Sequence, residues 1–392
     1  MRYAGVTERL AHLGGAKWAL HARARAMQAA GREVIELTIG EPDVATPAEM
    51  IETAVAAMRA GRLGYSDGRG ERTLIEALAA RYSARMGRTI GADQVLCLPG
   101  TQTALYAVLT ALVGPGDEVL LGDPMYATYG GVIAAHGAQT VPVPLRPERG
   151  FRIDAADIAA RITPTSRAIL LNTPHNPTGA VLHPADLSAI GALARAHDLW
   201  IICDEVYEEM VFSGVRFVSP LADPGLADRV IVVSSISKSH ASPGFRSGWC
   251  VGPAEFCARA LPLSEIMLFG NQPFIADMTA LAISRPSSVA AGMARRFEAR
   301  AGLIRARLDG AAGLVVNRPE AGMFALVDVR AVSASGEAFA ARLLDEKGVA
   351  VMPGESFGAA LTGWLRLSLT QGDDRTAIAC DRIAELAREM AA

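Results

Sequence analysis

Short apolar runs at 95–98, 118–122, 168–171, 200–203, 230–233 and 249–252 read as strands, while 101–112 and 185–197 carry apolar residues at helical spacing. The runs lack the polar alternate positions of a half-exposed strand, so both of their faces are expected to be covered. Such strands alternating with helices predict an α/β fold, with a mostly parallel sheet between layers of helices. Beyond about residue 285 the pattern changes, and 323–329 and 363–370 read as strands of a smaller α+β layer. Segment 34–39 is expected to join that layer or bridge to it. The large domain is therefore expected at 48–284, with 1–47 and 285–392 forming the small one.

Composition narrows the class. A chain of 392 residues is too long for one ordinary core. Hydrophobic residues make up 51% and charged residues 20%, enough for a large buried interior. The net charge of −3 and the lack of a basic block give a nucleic acid or an anionic membrane no electrostatic hold. The basic stretch from His21 to Arg25 reads as a solvated helix face. Cys97, Cys203, Cys250, Cys257 and Cys380 are odd in number, form no CxxC pair and mostly lie in apolar runs. They read as reduced, buried thiols, and no metal site is expected. With no apolar stretch of membrane length and no signal-like start, a soluble cytoplasmic enzyme is expected.

Ligands of open α/β sheets bind beyond the carboxyl ends of the strands. Polar residues stand at those ends here. Lys238 follows the 230–233 run, and alone it would read as a surface lysine. Asp204 ends the 200–203 run; a carboxylate there is commonly a cap, but it also suits a protonated ring nitrogen. If 204–207 is helical, the Tyr207 hydroxyl lies on the same side. Asn176 sits between Pro174 and Pro177 in a turn that would hold its amide rigidly as a donor. Gly100, Thr101 and Gln102 open a helix whose N-terminus favours a phosphate, and Ser235, Ser237 and Arg246 add hydroxyls and a fixed charge. Tyr126 follows another strand end and could stack on a ring. In 364–370 Leu365, Leu367 and Leu369 share one face, leaving Arg366 on the other, where a rigid guanidinium suits a carboxylate.

Taken together and in this order, the segments from Ile39 to Thr370 resemble the class I/II aminotransferases of the fold-type I pyridoxal-phosphate superfamily. The residues that carry the resemblance are Ile39-Gly40-Glu41-Pro42-Asp43, Asn176-Pro177-Thr178-Gly179, Asp204-Glu205-Val206-Tyr207 and Ser235-Ile236-Ser237-Lys238 with Arg246 eight residues on. The variants Ser-Lys-Ser-His-Ala and Thr-Pro-His-Asn-Pro are similar to those of arginine–pyruvate aminotransferases. The resemblance implies a seven-stranded large-domain sheet and a ping-pong transfer of an α-amino group to a 2-oxo acid. It implies pyridoxal 5′-phosphate as cofactor, in a Schiff base with Lys238. Asp204 would pair with the ring nitrogen, and Asn176 and Tyr207 would bind the ring oxygen. Gly100, Thr101, Gln102 (through its backbone), Ser235, Ser237 and Arg246 would hold the phosphate, and Tyr126 the ring face. Arg366, Asn176 and the Gly40 backbone would take the substrate carboxylate. Tyr65 would reach the phosphate of a partner subunit, so a homodimer with shared active sites is implied. The alternative is a lyase, a β-elimination on the same scaffold. The chain departs from the family at His240 and at Ser242-Pro243-Gly244, which leaves open the local contacts and a proton-shuttle role for His240.

Overall fold

The computed structural model describes residues 2–11, 13 and 18–392. The strand β1 (Ile35–Leu37) belongs to a second sheet described below. The next seven strands are β2 (Val95–Leu98), β3 (Glu118–Asp123), β4 (Gln139–Pro144), β5 (Ser166–Asn172), β6 (Trp200–Asp204), β7 (Val230–Ser235) and β8 (Gly248–Val251). They form one sheet in the order β2-β8-β7-β6-β5-β3-β4. Its pairs from β7 through to β4 are parallel, and β8 runs antiparallel to both its neighbours.

Strand alternation explains how the sheet is covered. Val230 and Val232 enter the apolar cluster on one face, and Ile231 and Val233 enter the cluster on the other. The pairs Cys97 with Leu98 and Cys203 with Ile202 divide the same way, so a run with no polar alternate positions is buried on both sides. The helix Thr101–Leu112 covers one face, and Pro184–Ala196 and Pro273–Ile283 the other. β4 has no counterpart among the sequence-read strands. Pro142 and Pro144 break its donor pattern, which is tolerated because β4 is the edge strand.

A five-stranded sheet follows, formed with β9 (Val315–Val316), β10 (Phe324–Asp328), β11 (Val349–Pro353) and β12 (Trp364–Ser368) in the order β1-β11-β12-β10-β9. β1 pairs in parallel with β11, which fixes where the 34–39 segment goes; the other pairs are antiparallel. Leu365, Leu367 and Leu369 enter this layer's apolar core, as their spacing predicts. Arg366 stands between them, opposite Leu326 of β10 and Met352 of β11.

The loop after β1 is fastened at Asp43, which binds Arg296 at 2.7 Å and Arg300 at 2.8 Å on the helix Ser288–Leu308. Arg300 also donates to the carbonyl of Leu369, just past β12. Gly40 and Arg366 are thereby held against one framework. The basic stretch on the helix Ala19–Ala29 presents Arg23 and Arg25 to solvent, as expected, while its other side packs inward. Ala24 is fully buried, His21 Nδ1 lies 2.8 Å from Glu36, and Arg23 pairs with Asp345. The five cysteines are unpaired and buried. Among the described residues, no helix is long and apolar enough to cross a membrane.

Candidate active site

The carboxyl ends of β5, β6 and β7 lie level, with Asn172 opposite Asp204 and Asp204 opposite Val233. Beyond them opens a cleft of about 310 Å³. Of the site residues named from the sequence, Gly40, Thr101, Gln102, Tyr126, Asn176, Asp204, Tyr207, Ser235, Ser237, Lys238, Arg246 and Arg366 line it. Gly100 lies immediately behind: a Cβ there would meet the Arg246 guanidinium at 2.2 Å, and its φ of +86° is one that glycine accepts freely. Tyr65 stands elsewhere, 91% exposed, with its ring 5.5 Å from that of Phe269.

Lys238 projects from a short helix, Ile236–Ser239, that continues directly from β7. Its Nζ donates to the carbonyl of Gly40 at 2.7 Å. Burial pulls its ammonium down to about 8; the Glu41 carboxylate opposes this, and Arg366 and Arg246 add to it. Gly40 has no room for a side chain, since a Cβ would meet the Phe324 ring at 2.2 Å.

Asp204 is buried at the end of β6, and burial pushes its carboxyl up to about 6. Two hydrogen bonds act against that rise: Tyr129 Oη donates to Oδ2 at 2.8 Å and the Val206 N–H to Oδ1 at 3.1 Å. The second bond closes a side-chain turn, so the condition of a helix at 204–207 is not met. Tyr207 nevertheless reaches the cleft, which Asn176 also lines, and burial raises its pKa.

Arg366 is buried, 2% exposed, which is far from an ordinary strand arginine. Its guanidinium lies between the rings of Phe324 and Phe357, 3.9 and 4.4 Å from their centroids. Nη1 donates to Asn176 Oδ1 at 3.2 Å and Nη2 to the Thr38 carbonyl at 2.5 Å. Nε is buried with no partner. Thr101 Oγ1, at the start of the helix Thr101–Leu112, is likewise buried and unpartnered. With the helix N-terminus and Arg246 beside it, that hydroxyl fits a phosphate oxygen. The free Arg366 donor fits a carboxylate. Lys238, Arg246 and Arg366 against Asp204 make the cleft cationic on balance, which suits a ligand carrying both anions.

The sequence reading missed Tyr129, Thr38, Phe324 and Trp18, and left Asn172 without a role. Tyr129 offered one signal, its place three residues after Tyr126 past a strand end; the two rings meet edge to face at 5.5 Å. Phe324 and Thr38 offered none, because strand aromatics and hydroxyls are common core residues. His240 turns away from the cleft. Its Nε2 donates to the Ala282 carbonyl at 3.1 Å, which leaves Nδ1 as acceptor of the Ser239 hydroxyl at 2.8 Å. Burial lowers its pKa, so it is a neutral, fully engaged ring.

The sequence model of the aminotransferase class I and II family matches residues 32–383. The chain is 45% identical over 390 residues to the arginine–pyruvate transaminase AruH of Pseudomonas aeruginosa, covering 100% of this chain and 99% of that one. It is 34% identical over 382 residues to an aspartate aminotransferase of Streptomyces avermitilis, covering 95% and 93%. Among solved structures it is similar to the aspartate aminotransferase of Rhizobium meliloti, with a TM-score of 0.93, 28% identity and 99% of each chain covered. The Thermus thermophilus aspartate aminotransferase with maleate superposes with a TM-score of 0.91 at 30% identity, covering 98% of this chain and 100% of that one.

Proposed function

The chain belongs to the class I and II aminotransferases and is a pyridoxal-phosphate-dependent transaminase, and on that premise we propose that its amino donor is arginine and its acceptor pyruvate. The observation that carries the donor assignment is the end-to-end likeness to the arginine–pyruvate enzyme, closer than the likeness to the aspartate enzymes. The chemistry rests on the meeting of Lys238 and Arg366 in one cleft.

When bound, pyridoxal phosphate supplies an aldehyde that captures amines and a pyridinium that draws off the electron pair left at the donor's Cα. This chain's residues bind, orient and move protons. Lys238 Nζ, its pKa lowered by burial to about 8, would in its neutral form take the proton from the donor's Cα and hold it for return. Asp204 would face the ring nitrogen, Asn176 and Tyr207 the ring oxygen, and Tyr126 the ring face. Gly100, Thr101, Gln102 (through its backbone), Ser235, Ser237 and Arg246 would hold the phosphate; the unpartnered Thr101 hydroxyl supports this. Arg366, with Asn176 and the Gly40 backbone, clamps the α-carboxylate of donor and acceptor alike, and its spare Nε supports that role.

The same reading makes the enzyme a cytoplasmic homodimer with Tyr65 completing the neighbouring subunit's phosphate site. Tyr65, Ile266, Met267 and Phe269 are exposed apolar side chains on this face, a patch that suits burial against a second copy. A monomer in sedimentation at working concentration, or recovery in a washed membrane fraction, would contradict it. The large domain spans 48–284 and the small domain 1–47 with 285–392, in keeping with the pairing of β1 with β11. Limited proteolysis cutting mainly inside 48–284 would argue against those bounds.

A panel of amino donors against pyruvate and 2-oxoglutarate tests the substrate assignment. Arginine with pyruvate is expected to give the highest kcat/KM. Flat activity with arginine beside strong activity with aspartate or aromatic donors would overturn it.

A further inference from the structure

Asp204 is held from two directions. Its backbone is fixed by the sheet and by its neighbours: Asn172 Nδ2 and the Thr173 N–H donate to its carbonyl at 3.0 and 3.1 Å, and Glu205 N donates to Val233. Its side chain is fixed separately. The Val206 N–H takes Oδ1, and the hydroxyl of Tyr129 takes Oδ2. Tyr129 is 3% exposed and begins the short helix Tyr129–Ala135, and its ring packs edge-on against Tyr126. It is the side-chain donor to Asp204 among the described residues.

We propose that Tyr129 is a positioning residue for the cofactor's ring, holding Asp204 as an anion, in one orientation, for the ring nitrogen. This rests on the reading that Asp204 faces that nitrogen. A buried carboxylate that loses a donor is driven towards its neutral form. The carboxyl already stands raised by burial, with the Tyr129 bond among the groups opposing that rise. Without the hydroxyl, the proton shared between ring nitrogen and Asp204 moves towards the carboxylate. The ring then withdraws electrons less strongly, although the backbone framework and the aromatic packing are unchanged. Tyr129 also lines the cleft, and its hydroxyl acts on the ring through Asp204.

The test compares the parent with Tyr129→Phe, which keeps the ring and removes the hydroxyl. Apoenzyme affinity is measured for pyridoxal phosphate and for the analogue in which a C–H replaces the ring nitrogen. The parent is expected to prefer the nitrogen-bearing cofactor. Tyr129→Phe is expected to weaken that cofactor roughly ten-fold, from one lost hydrogen bond to a charged group, and to leave the analogue nearly unchanged. An equal loss for both would mean the hydroxyl serves packing alone and would overturn the proposal. A parent that does not distinguish the two would instead overturn the role of Asp204. Should the variant resist purification as apoenzyme, the ¹⁵N shift of labelled cofactor in the holoenzyme decides the matter: movement towards the unprotonated ring supports the proposal, and no movement contradicts it.

Discussion

Taking a guanidinium out of water costs several kcal/mol unless its donors are well paired. Arg366 is nearly fully buried, burial pulls its pKa down to about 10, and its Nε has no partner. Such an arrangement stabilises a bound anion better than it stabilises the fold. Arg366→Lys keeps the charge but loses the planar fork. It is expected to lower kcat/KM about a hundred-fold or more for donor and acceptor alike, chiefly through KM, measured by steady-state kinetics with each varied in turn. Arg366→Met, an apolar replacement of similar volume, is expected to lose activity while melting no lower than the parent, because the buried charge is gone. A large fall in melting temperature with KM unchanged would make Arg366 a structural residue. Lys238 obeys the same physics with the opposite use: burial lowers its pKa to about 8, which leaves a share of neutral amine at neutral pH.

At the level of elements, β6 and the turn after it carry a cleft-lining carboxyl and an interior one side by side. Asp204 faces the cleft. Glu205 is buried, its Oε1 accepting from Ser219 and its Oε2 unpartnered. Burial, with the charge of Glu208, pushes Glu205 up to about 8, while Ser219, Arg85 and Cys203 act to lower it. Its ordinary value is 4.5. Between the two, the unfolded chain has released this proton and the folded chain retains it, so the unfolded state binds fewer protons and stability falls as pH rises. Glu205→Gln removes that slope. It is expected to raise the melting temperature at pH ~8 clearly more than at pH ~5, measured by calorimetry at both. An equal shift at the two values would place the effect elsewhere. The turn geometry itself was hidden from the sequence. Asp204-Glu205-Val206-Tyr207 permits a helix by composition, and it is the bond from the Val206 N–H to Asp204 that selects a turn. The strand ends were legible for a definite reason. Each buried run is apolar on both faces, and it stops where Asn172, Asp204 or Ser235 lines the cleft. β4 and β11 were not legible. β4 carries prolines that only an edge strand tolerates, and β11 follows the helix Gly336–Lys347 after the single residue Gly348, so its apolar residues run on from the helical pattern.

Across the whole molecule, function depends on two sheets meeting. Lys238, Asp204 and Asn176 come with the seven-stranded sheet, and Arg366 and Gly40 with the five-stranded one or the loop beside it. The bonds from Lys238 to Gly40 and from Arg366 to Asn176 cross that seam. Most of the site was readable because the polar residues of each strand end are near in sequence to apolar runs that place them. Tyr129 and Phe324 were not, because their roles exist only across the seam or behind another side chain. Packing at a distance leaves no local pattern.

The central claim is that Lys238 and Arg366 serve the transfer of an amino group rather than its elimination. The most direct test mixes holoenzyme with L-arginine and no 2-oxo acid, following the cofactor's visible absorbance and the products. The expected result is a lasting change to the amine form of the cofactor, one 2-oxo acid released per site and no ammonia, reversed on adding pyruvate and absent in Lys238→Ala. Ammonia released with continued turnover and no lasting change in absorbance, or unimpaired conversion by Lys238→Ala, would contradict it.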